Sequence, residues 1–328
     1  MSINRSLSRR EWLSATAGLA AAARWPAQPV VAQGPTTTPV EFTVPANACD
    51  CHVHVFGDPQ RFPFAAARAY TPPPASVEAL NVMRTALHTR RVVLVQPSVY
   101  GTDHRCLLDA LRRIGPTARA VAVADDTVSD ATLDELDRAG VRGLRLNLET
   151  GGVPDLNVIR ARLKAAVSRA GPLGWHLQLF TRLTVLEALQ DSIITSAVPI
   201  VIDHFGQASG AQGVFQPGLD TILRMLKTER IYLKLSAPYL CSTKAPDFAD
   251  MAPLAKELIA ANPHRILWGS DWPHVNAAPV AGRAVTDVWP FYPIDDGLVF
   301  NQLARWVPDA AARKSILVDT PAEVYGFD

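Results

Sequence analysis

Short apolar runs recur along the chain from Asn47 onward, separated by longer stretches of helical periodicity. The runs are ACDCHVHVF (48–56), RVVLVQPS (91–98), ARAVAVAD (118–125), VRGLRLNL (141–148), WHLQLFT (175–181), PIVIDHFG (199–206), IYLKLSA (231–237) and RILWGSDW (265–272). As strands they are apolar on both faces, the pattern of a sheet covered on both sides. Between them DATLDELDRAG, LNVIRARLKAAVSRAG, RLTVLEALQDS, GLDTILRMLKTER and FADMAPLAKELIAANP read as helices. Several of these open with Asp, Ser or Thr and close with Gly or Asn, as capped helices do. Alternation of this kind predicts βαβ units on a parallel sheet, and eight units fit a closed barrel. The expected fold is α/β, a single (β/α)8 TIM barrel over residues 46–328. An open doubly wound sheet is the competitor, weakened because no Gly-rich phosphate turn follows the first run.

The beginning of the sequence has a different texture. SRREWL (8–13) precedes the small apolar run SATAGLAAAA, and VVAQ offers small residues for cleavage after Ala32. Residues 1–34 read as a twin-arginine export signal, which predicts a periplasmic protein with the cytoplasm as the alternative. The apolar run is too short and too alanine-rich to span a membrane stably. Residues 35–45, with their Pro and Thr, read as a linker.

Composition narrows the partners. The 328 residues are 48% hydrophobic and carry a formal charge of +1, with acids and bases interspersed. That excludes an extended nucleic-acid surface and a polybasic membrane patch. Four cysteines without a CxxC spacing support neither a disulfide framework nor a structural zinc. Oligomeric state is left open.

In a barrel, chemistry belongs at the C-terminal ends of the strands. Those ends carry His52 and His54, Ser98, Arg145 and Asn147, Gln178 and Phe180, Asp203 and His204, and Ser270 and Asp271. Alternation puts His52 and His54 on one face of the first strand, with Cys49 and Cys51 on the other. Three imidazoles can hold a divalent cation, or themselves donate hydrogen bonds to a carbonyl oxygen. A carboxylate opposite them, Asp271, can take a proton from water. Together they would hydrolyse an ester or amide by direct water attack. By the same alternation Asp203 should face away from His204 and act structurally. His176 starts its strand and belongs at the barrel bottom, while His88, His104 and His264 fall in helix or loop contexts. Lys234, in mid-strand, suits either an interior ion pair or a substrate contact. Tyr239 is a candidate for facing substrate. His274 suits either a turn or the positioning of Asp271.

Five motifs in order, DCHVHVFG (50–57), QPSVYGTDH (96–104), GVRGLRLN (140–147), VIDHFG (201–206) and ILWGSDWPH (266–274), resemble the amidohydrolase superfamily. The similarity is to its metal-dependent hydrolase barrels, in the branch of 2-pyrone-4,6-dicarboxylate lactonase, 4-sulfomuconolactone hydrolase and galactarolactone isomerase. The resemblance implies His52, His54, His204 and Asp271 as metal ligands, with Asp271 and the histidines as the catalytic groups. It implies substrate contacts from Tyr70, Ser98 and Arg145. The implied cofactor is a divalent metal, zinc by preference, which the pyrone lactonase does not require. The implied activity is hydrolysis of a small anionic lactone, of muconolactone or sulfomuconolactone type, in aromatic-compound catabolism. A lactone isomerase, a decarboxylase of the same superfamily and a non-catalytic periplasmic binding barrel are the alternatives. The chain departs from the pyrone lactonase where two carboxylates would be gripped. Gly151, Gln207 and Leu240 stand where arginines are expected, and Phe180 stands where a tyrosine is expected. A bidentate guanidinium is not replaced by such residues, so the expected substrate carries one anionic group or a sulfonate. Arg182, in phase with Gln178 and Phe180, is a candidate for a cation from another direction.

Overall fold

Eight parallel strands stand side by side in chain order in the computed structural model, which describes residues 38–278 and 281–328. They are β1 (Cys49–Val53), β2 (Arg91–Val95), β3 (Ala118–Ala122), β4 (Val141–Asn147), β5 (His176–Phe180), β6 (Ile200–Ile202), β7 (Ile231–Ser236) and β8 (Ile266–Gly269). The strand that would be an edge is used up by closure. Asp271 N–H donates to the His52 carbonyl and His54 N–H to the Trp272 carbonyl, both at 2.8 Å. These bonds continue β8 against β1 and close the (β/α)8 barrel expected from the sequence. The export-signal reading of residues 1–34 lies outside the described residues.

Side-chain chemistry at the helix ends explains why the crossovers start and stop where they do. Ser76 caps the helix Val77–Ala86 by accepting from Ala79 N–H, and Ser129 caps Asp130–Ala139 by accepting from Thr132 N–H. Asp155 and Asp295 do the same for Leu156–Ala170 and Asp296–Trp306. Each such cap contributes about 1 kcal/mol. Residues 38–44 lie against the last of these helices. Glu41 N–H donates to Asn301 Oδ1 at 2.8 Å, and the Phe42 ring meets Phe300 edge-on at 4.9 Å between centroids. Among the described residues, no helix is long and apolar enough to cross a membrane.

Two apolar layers hold the barrel. Outward-facing strand residues such as Val92, Leu144, Leu177 and Leu233 pack under the helices. Inside, Val93, Val95, Val121, Val201, Tyr232 and Leu267 form a second cluster with Tyr325 and Phe327. Cys49 and Cys51 belong to this inner cluster, all four cysteines being free and buried. That corrects the expectation that Cys49 and Cys51 face away from the histidine side. The pairing of β1 with β2 advances from Asp50↔Val92 to Val53↔Leu94, so β1 carries one extra residue there. A bulge of this kind breaks alternation and re-aims a side chain. Cys51 and His52 consequently both look into the barrel.

Candidate active site

The bulge in β1 and the close of the barrel bring the histidine pair onto Asp271. His52 Nε2 and His54 Nε2 each lie 3.4 Å from Asp271 Oδ1. Gly269 makes room for this. A Cβ there would stand 2.7 Å from His52 Cβ and 2.8 Å from its backbone nitrogen. Gly269→Ala is therefore expected to cost about 1–3 kcal/mol of stability by overpacking and to displace His52. A thermal melt and a turnover assay on the same preparation check both effects.

Tautomers follow from the partners. His54 Nδ1 lies 2.7 Å from the Val95 carbonyl, which can only accept, so Nδ1 carries the proton and Nε2 offers a lone pair. His52 Nδ1 sits between Asp203 Oδ1 at 3.3 Å and Lys234 Nζ at 3.4 Å, and its Nε2 points at the cluster. His204 Nδ1 is held by Ser236 Oγ at 2.8 Å. The rings of His52 and His204 lie 4.6 Å apart. Burial draws the pKa values of His52 and His204 below the ordinary histidine value, against the pull of neighbouring carboxylates. Burial alone would raise Asp271, but the positive charge that His204, His54 and His52 can carry outweighs it and holds this carboxyl well below the usual range.

Three polar atoms, His52 Nε2, His54 Nε2 and Asp271 Oδ1, thus converge on one point. His52 Nε2 and Asp271 Oδ1 are both buried and without a hydrogen-bond partner. Such a group needs a cation among its members, either a proton or a metal ion. The donor set and the spacing fit a metal. Ligand bonds of about 2.1 Å in a tetrahedron leave about 3.4 Å between ligand atoms. The bond from His54 Nδ1 to the Val95 carbonyl and the approach of the Asp203 carboxylate to His52 Nδ1 are outer contacts of the kind that orient metal-binding imidazoles. His204 groups instead with His52 and Asp203, in a second cluster whose ligand atoms lie within 4.8 Å of one another. Lys234 already supplies a cation there. Its Nζ is 3.4 Å from Asp203 Oδ1 and 3.4 Å from His52 Nδ1, and it donates to Gln178 Oε1 at 2.6 Å.

Asp203 corrects a second expectation. It does not face away but into the barrel, taking a hydrogen bond from Gln178 Nε2 at 2.9 Å and standing 3.6 Å from Arg145 Nε. Strand β6 ends at Ile202, and His204 to Gln207 follow in left-handed conformations, so alternation no longer governs the pair. Burial would raise the Asp203 pKa, yet Lys234 and His52 hold it well below the ordinary value. Lys234 is an interior ion-pair residue, fully buried. His176 lies inside the barrel bottom, edge-on to Tyr325 at 5.2 Å, with its pKa lowered to about 3 by burial and then by Lys234.

The residues expected to contact substrate lie near this centre. Arg145 is 5% exposed and its guanidinium lies 5.5 Å from the centroid of the Phe180 ring. Phe180 in turn meets His204 edge-on at 4.9 Å. Tyr70 is buried against Ser98, within electrostatic reach of Arg145 and Asp271. Arg182 is not a further cation for the mouth. It pairs with Glu149 at 2.5 Å and is half exposed beside the helix Leu183–Ala188. Tyr239 was expected to face substrate, but its hydroxyl donates to Asp271 Oδ2 at 2.5 Å. His274 approaches Asp296 at 3.0 Å, and its N–H donates to the Asp271 carbonyl at 2.8 Å, which is the turn role. Sequence reasoning did not single out Ser236. Its phase with Lys234 on β7 was the available signal.

Comparison with known proteins gives this site its context. A family model described as amidohydrolase matches residues 49–327. The chain is 33% identical over 294 residues to a 2-pyrone-4,6-dicarboxylate hydrolase of Comamonas testosteroni, covering 87% of this chain and 92% of that one. It is 33% identical over 299 residues to a 4-sulfomuconolactone hydrolase of Rhizobium radiobacter, covering 90% and 95%. A crystal structure of a putative 2-pyrone-4,6-dicarboxylic acid hydrolase from Pseudomonas putida superposes with a TM-score of 0.71 at 31% identity, covering 87% of this chain and 99% of that one.

Proposed function

The chain belongs to the amidohydrolase family, and from that premise we propose that it hydrolyses a small lactone carrying one anionic group. The observation that carries this reading is the convergence of His52 Nε2, His54 Nε2 and Asp271 Oδ1 at the C-terminal mouth of the barrel. Asp271, ionised and directed at the centre, takes a proton from the attacking water. The water oxygen bonds to the lactone carbonyl carbon, the ring C–O bond breaks, and the proton ends on the leaving oxygen. Arg145 grips the anionic substituent, with Tyr70 and Ser98 beside it. A divalent ion held by His52, His54 and Asp271, with His204 adjacent, would supply Lewis-acid polarisation of the carbonyl, and zinc suits these N and O donors.

Support for a single anion comes from uncharged residues at the positions where a dicarboxylate would need further cations. Phe180 offers a ring face rather than a charge, Gly151 has open space where a side chain would be, and Leu240 is 37% exposed. A sulfonate or monocarboxylate fits such a mouth better than a dicarboxylate. The twin-arginine reading of residues 1–34 would put this chemistry in the periplasm.

A panel of lactones followed by proton release, with metal content measured before and after chelation, tests the reading. The expected result is turnover of monoanionic lactones, one divalent ion per chain, and loss of rate on chelation that zinc restores. Full activity without any metal would assign carbonyl polarisation to histidine N–H groups. Preference for the pyrone dicarboxylate would overturn the single-anion reading, and a shifted lactone without new carboxylate would identify an isomerase.

A further inference from the structure

We infer that Tyr239 is a positioning residue for Asp271, fixing which carboxylate oxygen faces the histidines. This inference rests on the assignment of Asp271 as the general base. A carboxylate has two equivalent oxygens, and its terminal torsion is soft. Asp271 lies past the end of β8 with a φ of 63°, so strand geometry does not hold its side chain. The Tyr239 hydroxyl removes the equivalence by donating to Oδ2 at 2.5 Å, leaving Oδ1 for His52 and His54.

The segment that carries Tyr239 is built as a brace. Ser236, at the end of β7, holds His204 Nδ1. Ala237 then takes a left-handed conformation, φ 49° and ψ 53°, which turns the chain across the mouth into the short helix Pro238–Cys241. Cys241 Sγ lies 3.4 Å from the His204 carbonyl. One stretch of chain therefore fixes both His204 and Asp271, which come from different strands. The Tyr239 ring is itself wedged between His274, edge-on at 5.7 Å, and Tyr292 at 5.1 Å.

The test is Tyr239→Phe, which keeps the ring and removes the bond. The expected result is a kcat lower by about 10- to 100-fold, with KM within about twofold and a melting temperature changed by only a few degrees. A KM that rises while kcat holds would make Tyr239 a substrate contact and overturn the inference, as would an unchanged kcat. Crystal structures of wild type and Tyr239→Phe give a readout independent of turnover. The Asp271 carboxylate is expected to rotate or to divide between two orientations in the variant, and an unmoved carboxylate overturns the inference. If the wild type opens no lactone, the hydrolase reading fails, while the crystal structures still decide the role of Tyr239.

Discussion

Replacing Asp271 with asparagine is expected to lower lactone turnover by about 10²- to 10⁴-fold while the protein still folds and still binds the substrate anion. The amide keeps the shape and the acceptor for Tyr239, and its NH2 group can face the Nε2 atoms of His52 and His54 that now meet a carboxylate oxygen. It cannot take the proton from water. A thousandfold loss corresponds to about 4 kcal/mol in the barrier. Proton-release kinetics, with binding of an unreactive anionic analogue measured in parallel, check both halves of the expectation. A rate within tenfold of wild type would remove Asp271 from the role of base. Loss of analogue binding together with activity would mean that Asp271 serves binding instead.

The second large effect is on stability. Lys234→Met is expected to destabilise the protein by about 3–5 kcal/mol, the cost of leaving a buried charge without its partner. For a domain of this size that is a fall of roughly 10 °C in melting temperature. The methionine fills the space but leaves Asp203 buried with only His52, Gln178 and a more distant Arg145. Removing the carboxylate as well, in Lys234→Met/Asp203→Asn, is expected to recover part of the loss. A single variant as stable as wild type would show that the Lys234–Asp203 pair contributes nothing net. The pair also sets an acid limit. Because the pKa of Asp203 is lower in the folded than in the unfolded chain, the unfolded chain binds more protons at low pH. Stability from this group is therefore complete above about pH 4 and is lost as pH falls further. Melts taken between pH 3 and pH 7 should show that slope in wild type and a weaker one in Lys234→Met.

The barrel was legible in the sequence because each strand is buried on both faces, which leaves an apolar run and little room for another reading. His52, His54, His204 and Asp271 were legible for a related reason. They are polar groups at ends of apolar runs, where water or chemistry must satisfy them. The contacts that organise them were not. Alternation in ACDCHVHVF is unbroken, and only the irregular pairing of β1 with β2 makes Cys51 and His52 share the interior. Asp203 was misread because it keeps the extended backbone and inward phase of Val201, while a left-handed turn beginning at His204 brings that ring inward as well. Tyr239 depends on the backbone at Ala237, a residue with no turn signature of its own. Arg182 looked available because its partner Glu149 comes from the loop after β4. For His52 and Arg182 the deciding neighbour lies on another strand or loop, and for Asp203 and Tyr239 it is a left-handed backbone at a residue whose type does not announce one.

The extra residue in β1 makes strand length, rather than residue identity, the heritable property of this site. Substitutions around Cys51 can alter packing without altering the number of residues between Asp50 and Val53, so the direction of His52 survives wide drift in side chains. Only an insertion or a deletion erases it. A redesign that paired β1 regularly with β2 would keep the barrel and turn the histidine out of it, so sequence design on this scaffold must treat the irregular pairing as part of what builds the histidine cluster.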